Sequence, residues 1–267
     1  MANGRSLFTL GGDLIYEFKG IVLPKDKIRL DLLLVQRGLA ESRETAKRMI
    51  MAGQVEVDSA LADKPGHLIP ISSTLSLKNR PSPYVSRGGQ KLEAALEKFS
   101  VDVRGDTLLD VGASTGGFTD CLLQKGAKRI IAVDVGYGQL DWKLRQDPRV
   151  MLLERTNIRY LKSDDLETAI DGAVIDASFI SLRIVVPPVS DLLPKEAYII
   201  ALIKPQFEVG KGKVGKGGVV RDPSLHEEVV QGLSQFFEGL GWTVSGKMPS
   251  PLLGPKGNRE FFVYLKR

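Results

Sequence analysis

An apolar run that leads into a glycine-rich turn constrains the fold of this chain more than any other feature. The run ends at Asp110, the turn contains Gly112, Gly116 and Gly117, and a second apolar run ends at Asp134. A glycine-rich turn followed about twenty residues later by an acid is typical of the first βαβ unit of a nucleotide-binding sheet. The sequence therefore predicts a strand, a turn, a helix and a second, parallel strand.

Three further apolar runs extend this pattern. GAVIDASF contains Asp176, YIIALIKPQF contains Lys204, and REFFVYLKR begins beside Glu260. Helical segments alternate with these runs, and one is expected over Asp222–Leu240 with Asp222 as its N-cap and proline at its first position. This alternation predicts an α/β fold, a mostly parallel sheet with helices on both faces. Ligands bind at the carboxyl ends of the strands in such sheets. Glu260 lies at the start of the last strand, so it reaches that edge only if this strand is antiparallel.

The glycine-rich turn predicts the type of cofactor. Its spacing departs from the G-x-G-x-x-G of dinucleotide-binding loops, which makes a dinucleotide the weaker alternative. S-adenosylmethionine (SAM) has a ribose and a carboxylate but no phosphate, and a broad turn with an acid after the second strand suits it. The expected cofactor-binding residues are Asp110, Gly112, Ala113, Ser114, Thr115, Gly116, Gly117 and Asp134.

Four charged residues far apart in the chain are the candidate catalytic group: Lys91, Asp176, Lys204 and Glu260. Lys91 begins a predicted helix, Lys91–Phe99. Each residue alone is equally consistent with a structural ion pair, so only the joint pattern indicates a proton-transfer site. A free lysine, with a pKa of about 10.4, is protonated at pH 7. A lysine acting as a base therefore needs desolvation or a second positive charge nearby. Together with a SAM loop, the pattern points to methyl transfer onto a hydroxyl.

A basic helical module precedes this region. Apolar residues at 30 and 33–35 predict a helix ended by Gly38, and Ser42 is expected to cap a second helix that runs through Met51. Ala46, Met49 and Ile50 of the second helix are expected to face inward, and Gly53 then precedes a short strand. The expected RNA-binding residues here are Arg29, Arg37, Arg43, Lys47 and Arg48. A solvated charged face remains the alternative, because two glutamates dilute the charge.

Composition narrows the class of protein. The 267 residues carry a net charge of +5, with a pI near 9.2, which favours a polyanionic partner. Cys121 is the single cysteine and is expected to be a buried thiol, so neither a disulfide nor a cysteine-based zinc site is expected. His67 and His226 are too few and too separated to suggest a metal. No apolar run is long enough to span a bilayer, and a cytoplasmic location is expected.

The predicted boundaries follow changes in composition. Residues 1–26 are interpreted as a leader or flexible terminus, 27–78 as the RNA-binding module, 79–88 as a linker rich in proline and glycine, and 89–267 as the catalytic domain.

Residues 28–75 resemble the S4 RNA-binding domain in the Arg-Leu-Asp at 29–31, Gly38, Ser42-Arg43 and the turn at Gly53. Lys91, Asp176, Lys204 and Glu260 match the K-D-K-E tetrad of FtsJ-like ribose 2′-O-methyltransferases. The two domains together, with blocks such as YVSRGGQKLEAAL and DVGASTGGFTDCLL, resemble the TlyA family from about residue 27 to the end. Ser114-Thr115 departs from the Ala-Pro common in FtsJ-like loops.

The resemblance implies an S4 domain joined to a Rossmann-like SAM-dependent methyltransferase that modifies ribosomal RNA at a cytidine 2′-hydroxyl. It assigns the base to Lys204, orientation to Asp176 and Lys91, and positioning of the hydroxyl or of Lys91 to Glu260. The expected partners are ribosomal RNA or ribosomal subunits, with no membrane and no metal. Three more basic residues are expected at the RNA: Arg87, Lys211 and Lys213. A solvated loop is the alternative for the last two.

Three competing functions stay open. The family's historical annotation as haemolysins suggests a membrane-active protein, but that function needs a signal, a spanning segment or a basic amphipathic helix. The second is an RNA-binding protein with an inactive methyltransferase domain. The third is base methylation, which typically uses an Asn- or Asp-Pro-Pro-aromatic motif that DASF lacks.

Overall fold

The computed structural model describes residues 27–267 except Ala52, Ser59, Asp63, 78–82, Glu167, Lys211 and Lys216, and only the backbone of Leu61. Before residue 27 it describes the backbone of four short strands. The chain divides into two compact units, Met1–Pro81 and Ser82–Arg267. Most of the predicted leader lies outside the described residues, so that interpretation stays a prediction.

The described residues of the N-terminal unit form two helices and nine short strands. They are β1 (Phe8–Leu10), β2 (Asp13–Ile15), β3 (Glu17–Phe18), β4 (Ile21–Val22), β5 (Lys27–Arg29), α1 (Leu30–Gln36), α2 (Arg43–Met51), β6 (Val55–Val57), β7 (Ala60–Leu61), β8 (Leu68–Pro70) and β9 (Leu75–Leu77). Strands β1–β2, β3–β4 and β5–β8 pair antiparallel, and β6 lies between β7 and β9.

The two predicted N-terminal helices are confirmed. Gly38 follows α1 with φ of 69°, a backbone conformation that favours glycine. Ser42 Oγ accepts a hydrogen bond from Thr45 N at 3.1 Å, which satisfies a free N–H at the start of α2. Of the three residues expected to face inward, Ala46 and Ile50 are fully buried and Met49 is partly buried against the same core.

The C-terminal unit is the α/β domain. Its elements are α3 (Arg87–Phe99), β10 (Thr107–Val111), α4 (Gly117–Gln124), β11 (Arg129–Val133), α5 (Trp142–Arg145), β12 (Val150–Leu153), β13 (Gly172–Ile175), α6 (Leu182–Asp191), β14 (Tyr198–Ile203), α7 (Pro205–Glu208), α8 (Pro223–Gly239), β15 (Thr243–Pro249) and β16 (Phe261–Lys266).

These strands form a seven-stranded sheet in the order β12-β11-β10-β13-β14-β16-β15. The first five in that order are parallel, and β16 runs antiparallel to β14 and β15. The predicted parallel sheet and antiparallel last strand are both confirmed. The start of β16 consequently lies at the same edge as the carboxyl ends of β13 and β14.

Helices cover both faces of the sheet, as predicted. Val185 of α6 and Phe237 of α8 are fully buried against one face, and Leu92 of α3 against the other. Cys121 of α4 is a free, fully buried thiol, and burial raises its pKa to about 12. It is therefore the unreactive core thiol that the sequence predicts.

One helix starts earlier than predicted. Helix α3 begins at Arg87 rather than at Lys91, because Ser86 Oγ accepts a hydrogen bond from Gly88 N at 3.3 Å and caps it. The sequence did not predict that start, because the first turn contains two consecutive glycines, which are poor helix formers. Asp222 Oδ1 caps α8 through Ser224 N at 2.9 Å, as predicted.

Candidate active site

Lys204 and Asp176 form an ion pair at the carboxyl edge of the sheet. Asp176 directly follows β13, Lys204 directly follows β14, and these two strands are parallel neighbours. Lys204 Nζ lies 2.6 Å from Asp176 Oδ1 and donates to Ser178 Oγ at 2.7 Å. A longer contact of 3.4 Å joins Nζ to the backbone oxygen of Asp176. Three oxygens of one strand end thus surround the amine.

Lys91 and Glu260 form a second, deeper ion pair. Lys91 Nζ donates to Glu260 Oε2 at 2.6 Å, and the two side chains are 9% and 0% exposed. Glu260 Oε1 is buried and has no hydrogen-bond partner among the described residues. A buried carboxylate oxygen without a partner costs free energy, so it is available for a hydroxyl donor.

Gly254 makes room for this carboxylate. A Cβ at position 254 would lie 2.0 Å from Glu260 Oε1, a distance too short for two non-bonded atoms. Gly254 N also donates to the backbone oxygen of Asn258 at 2.8 Å, which closes the turn before β16. Glycine at 254 is therefore a steric requirement of the Glu260 position.

All four tetrad residues line one cavity of about 360 Å³, here called the tetrad cavity. The other lining residues come from the start of α3, the glycine-rich loop and the turn before β16. The full lining is Ser86, Arg87, Gly88, Lys91, Gly112, Ala113, Ser114, Thr115, Gly117, Phe118, Asp176, Lys204, Pro255 and Glu260.

A second cavity of about 460 Å³, here called the loop cavity, shares Gly112, Ser114 and Asp176 with the first. Its wall includes Asp134 and apolar side chains such as Ile158. The glycine-rich loop thus separates two adjoining spaces, one mostly apolar and one lined by two lysines and two carboxylates.

Asp134 organises the loop from the end of β11. Its Oδ2 accepts a hydrogen bond from Ser114 N at 2.8 Å, and its Oδ1 accepts one from Gly136 N at 2.7 Å. Ser114 has φ of 49°, a strained conformation for a residue with a side chain. The Asp134 carboxylate offsets that strain and still presents oxygen lone pairs to the loop cavity.

Gly112 lets the loop touch the neighbouring strand end. It has φ of 84°, and a Cβ there would lie 2.8 Å from the backbone oxygen of Asp176. The backbone of the glycine-rich loop is therefore in direct contact with the backbone of Asp176 at the end of β13.

Two predicted cofactor residues line neither cavity. Asp110 is fully buried, where its Oδ2 accepts a hydrogen bond from Thr119 Oγ1 at 2.6 Å. Burial raises the pKa of Asp110 to about 7. Gly116 has φ of 95°, and a Cβ there would meet Leu144 Cδ1 at 2.2 Å. Both residues shape the loop from beneath rather than from the ligand side.

Three of the predicted RNA-binding arginines make internal contacts. Arg29 and Arg43 both bond the fully buried Asp31, with Arg29 Nη2 at 2.9 Å and Arg43 Nε at 3.0 Å from Oδ2. Burial acts to raise the pKa of Asp31, but the hydrogen bonds from the two arginines outweigh it and hold that pKa below its ordinary value. Arg37 donates to the backbone oxygens of Ile71 and Ser73.

Lys47 and Arg48 of helix α2 have weaker internal contacts than the three arginines above. Lys47 pairs with Glu44 at 2.7 Å on the surface, and Arg48 is exposed, with one hydrogen bond of 3.3 Å to Thr45 Oγ1. Exposed pairs of this kind contribute little to stability and exchange readily with another anion.

The predicted basic residues of the C-terminal unit differ in position. Arg87 is exposed and lines the tetrad cavity. Lys213 pairs with Glu228 at 2.8 Å, away from that cavity lining. Lys211 lies outside the described residues.

Sequence reasoning missed Ser178 and Gly254. Both flank tetrad residues, two positions after Asp176 and six before Glu260, but neither residue type signals chemistry on its own. Only the folded contacts show that one touches the amine of Lys204 and the other the carboxylate of Glu260.

Fold and site together define a class. A seven-stranded sheet with an antiparallel last strand, a glycine-rich loop after the first strand and a lysine–carboxylate tetrad beside it describe a Rossmann-like methyltransferase. The FtsJ-like methyltransferase family matches residues 84–267, and the S4 domain matches residues 28–74. The chain belongs to the FtsJ-like methyltransferase family, in the TlyA group that places an S4 domain before the methyltransferase domain.

Relatives support this assignment along most of the chain. The 16S/23S rRNA (cytidine-2′-O)-methyltransferase TlyA of Mycobacterium tuberculosis is 47% identical over 241 residues, covering 90% of this chain and 90% of the relative. Hemolysin A of Brachyspira hyodysenteriae is 37% identical, covering 89% and 99%. A solved structure from Streptococcus thermophilus superposes with a TM-score of 0.72 at 45% identity, covering 91% and 89%.

Within the described part of the chain, no helix is long and apolar enough to cross a membrane. The same residues hold no group of three or more histidine, cysteine or acidic side chains arranged for a metal ion.

Proposed function

We propose that this protein transfers a methyl group from SAM to the 2′-hydroxyl of a cytidine in ribosomal RNA. The observation that carries the proposal is the pair of lysine–carboxylate contacts, Lys91 with Glu260 and Lys204 with Asp176, in one cavity beside the glycine-rich loop. The Mycobacterium tuberculosis relative named for this reaction aligns along 90% of both chains.

The chemistry of the loop-cavity lining fits SAM. The Asp134 carboxylate suits ribose hydroxyls, and apolar neighbours such as Ile158 suit an adenine ring. Gly112, Ser114 and Asp134 would hold the nucleoside part, with Ala113, Thr115 and Gly117 at the junction with the tetrad cavity. When bound there, SAM supplies a methyl group already activated by the sulfonium charge.

The tetrad supplies proton transfer and alignment. Lys204, after releasing its own proton to solvent, accepts the proton of the 2′-hydroxyl on Nζ. Asp176 holds that amine in place, and the free Oε1 of Glu260 accepts a hydrogen bond from the ribose. Lys91 balances the charge of Glu260. Alignment accounts for the larger share of the acceleration, and a positioned base adds about 10²- to 10⁴-fold.

The S4 domain would bind the RNA. The exposed Arg48 and the half-buried Lys47 of α2 can contact phosphates without losing a buried partner. In the C-terminal unit, Arg87 is exposed and lines the tetrad cavity. Ribosomal RNA or ribosomal subunits are the proposed partners, which would place the protein in the cytoplasm. Lys213 would reach a phosphate only by leaving Glu228.

The test is to map the methyl group. Purified protein is incubated with SAM and either free ribosomal RNA or isolated ribosomal subunits, and nucleosides are identified by mass spectrometry. The Lys204→Ala variant is the matched control. The proposal predicts 2′-O-methylcytidine with the wild type only. Methyl on a base, or no methyl in any RNA, would contradict it.

A further inference from the structure

Ser178 contacts the amine of Lys204 from outside the tetrad. Its Oγ lies 2.7 Å from Lys204 Nζ, close to the 2.6 Å that separates Nζ from Asp176 Oδ1. Ser178 also lines the loop cavity, whereas Lys204 lines the tetrad cavity. This hydroxyl therefore links the two spaces.

We propose that Ser178 is a positioning residue for methyl transfer, because its hydroxyl fixes the direction in which the Lys204 amine faces the acceptor. The proposal rests on the proposed function and adds a residue to it. Ser178 acts through Lys204 and does not take up the proton itself.

The geometry of a neutral amine explains the role. Such an amine has two N–H bonds and one lone pair at tetrahedral angles. Ser178 Oγ accepts one N–H bond at 2.7 Å, the Asp176 backbone oxygen lies 3.4 Å away for the second, and Asp176 Oδ1 is in ionic contact at 2.6 Å. The lone pair is then directed away from these three oxygens and is free for the acceptor. Without the Ser178 hydroxyl, the hydrogen bond that remains is the 3.4 Å contact with the Asp176 backbone oxygen, which is too long to hold the amine. The ionic contact with Asp176 Oδ1 keeps the amine close but does not fix its orientation. The amine then turns about its Cε–Nζ bond.

The loop that carries Ser178 is tied at both ends to the segment that carries Lys204. At one end Asp176 pairs with Lys204. At the other, Glu208 of α7 accepts hydrogen bonds from Ser181 Oγ at 2.6 Å and from Leu182 N at 2.8 Å. Since α7 begins directly after Lys204, the two segments are held against each other on both sides of Ser178.

The backbone of this loop is also constrained between the two ties. Phe179 has φ of 64°, a costly conformation for an aromatic residue that persists only where the surroundings impose it. Gly112 of the glycine-rich loop packs on the backbone oxygen of Asp176 at the start of the same loop. Ser178 is exposed, but its backbone is held in a defined conformation next to Lys204.

The test compares Ser178→Ala, Ser178→Thr and, as a matched control, Ser245→Ala on the exposed edge strand β15. Each variant is assayed for methyl transfer to ribosomal RNA, with KM for SAM and RNA and with thermal stability. Ser178→Ala is expected to lower kcat about tenfold or more, with both KM values within about threefold, because the hydrogen bond that orients the Lys204 amine is lost and the reacting groups are misaligned. Ser178→Thr restores the hydroxyl and is expected to recover most of kcat.

Turnover of Ser178→Ala within twofold of wild type would overturn the proposal. So would a threonine variant as slow as the alanine variant, because a hydroxyl would then not be the required group.

A second measurement does not depend on activity. In protein labelled with ¹⁵N-lysine, the Nζ signal of Lys204 is assigned by its disappearance in Lys204→Arg. Its protons are expected to exchange with water several-fold faster in Ser178→Ala than in wild type or Ser245→Ala. Unchanged exchange would reject the contact. If wild type transfers no methyl to RNA, the proposed function fails, and the exchange measurement alone still decides whether Ser178 holds Lys204.

Discussion

Lys91 Nζ and Glu260 Oε2 meet at 2.6 Å, although 169 positions separate the two residues in the chain. The contact is buried, and its second carboxylate oxygen, Oε1, lies against Gly254 rather than against a donor. Glu260 thus has one oxygen committed to Lys91 and one left for a ligand.

Gly254→Ala should therefore disable the site without touching the tetrad residues. The added methyl would overlap Glu260 Oε1 at 2.0 Å and displace the carboxylate. Methyl transfer is expected to fall by about tenfold to a hundredfold, since small misplacements of reacting groups have effects of that size. Gly239→Ala, where an added Cβ meets no heavy atom within 4 Å, is the control and should leave turnover unchanged. Equal turnover of both variants would mean that the position of Glu260 is unimportant.

Asp134→Ala should weaken SAM binding. The carboxylate is the proposed ribose ligand, and it also holds Ser114 N and Gly136 N in the loop. Loss of hydrogen bonds to a charged group predicts a Kd raised by about tenfold to a hundredfold, measurable by calorimetry. Affinity equal to that of wild type would remove Asp134 from the cofactor site.

Asp110 makes stability depend on pH. Burial raises its folded-state pKa to about 7, above the unfolded value near 3.9. The folded state therefore binds this proton more tightly, so the contribution to stability is full below about pH 4 and is lost as the pH rises through 7. Asp110→Asn keeps an oxygen for Thr119 but cannot ionise. Relative to this variant, wild type should lose about 1.4 kcal/mol of unfolding free energy per pH unit across that window. The unfolding free energies of wild type and Asp110→Asn are measured with denaturant at each pH. If the two change with pH in parallel, the raised pKa is contradicted.

The arginines of the S4 domain should separate into two classes. Arg48→Gln is expected to weaken RNA binding and to reduce the salt slope of log K by about one, with unchanged thermal stability. Arg29→Gln is expected to lower the melting temperature, because buried Asp31 loses a charged partner. Anisotropy titrations over a range of salt, with thermal melts, measure both. An unchanged salt slope in Arg48→Gln would make this face ordinary solvated surface.

Much of the α/β unit could be predicted from the sequence because each strand is a buried apolar run with a chemically distinct residue at its end. Asp176 and Lys204 each follow an apolar run, so a mostly parallel sheet predicts both at its carboxyl edge, and the observed pairing of β13 with β14 makes them neighbours there. The glycine-rich turn and Asp134 likewise follow from spacing along one βαβ unit. These features depend on local order, which a sequence displays directly.

The remaining features depend on contacts between distant segments. Nothing near Asp110 indicates that its side chain points beneath the loop to Thr119 rather than toward a ligand. The basic character of Arg29 and Arg43 predicted phosphate contacts, but buried Asp31 holds both. Ser178 and Gly254 belong to residue types too common for their positions to be distinguished before the fold was known.

The measurement that tests the central claim most directly is turnover of two Lys204 variants. Lys204→Ala should keep SAM and RNA affinity within a few-fold and should lower methyl transfer by about 10²-fold or more, the effect of losing a positioned base. Lys204→Arg keeps a positive charge beside Asp176 but cannot lose its proton near neutral pH, so it should fail as well. An arginine variant with near-wild-type turnover would show that position 204 serves as a fixed positive charge, and the assignment of Lys204 as the base would be wrong.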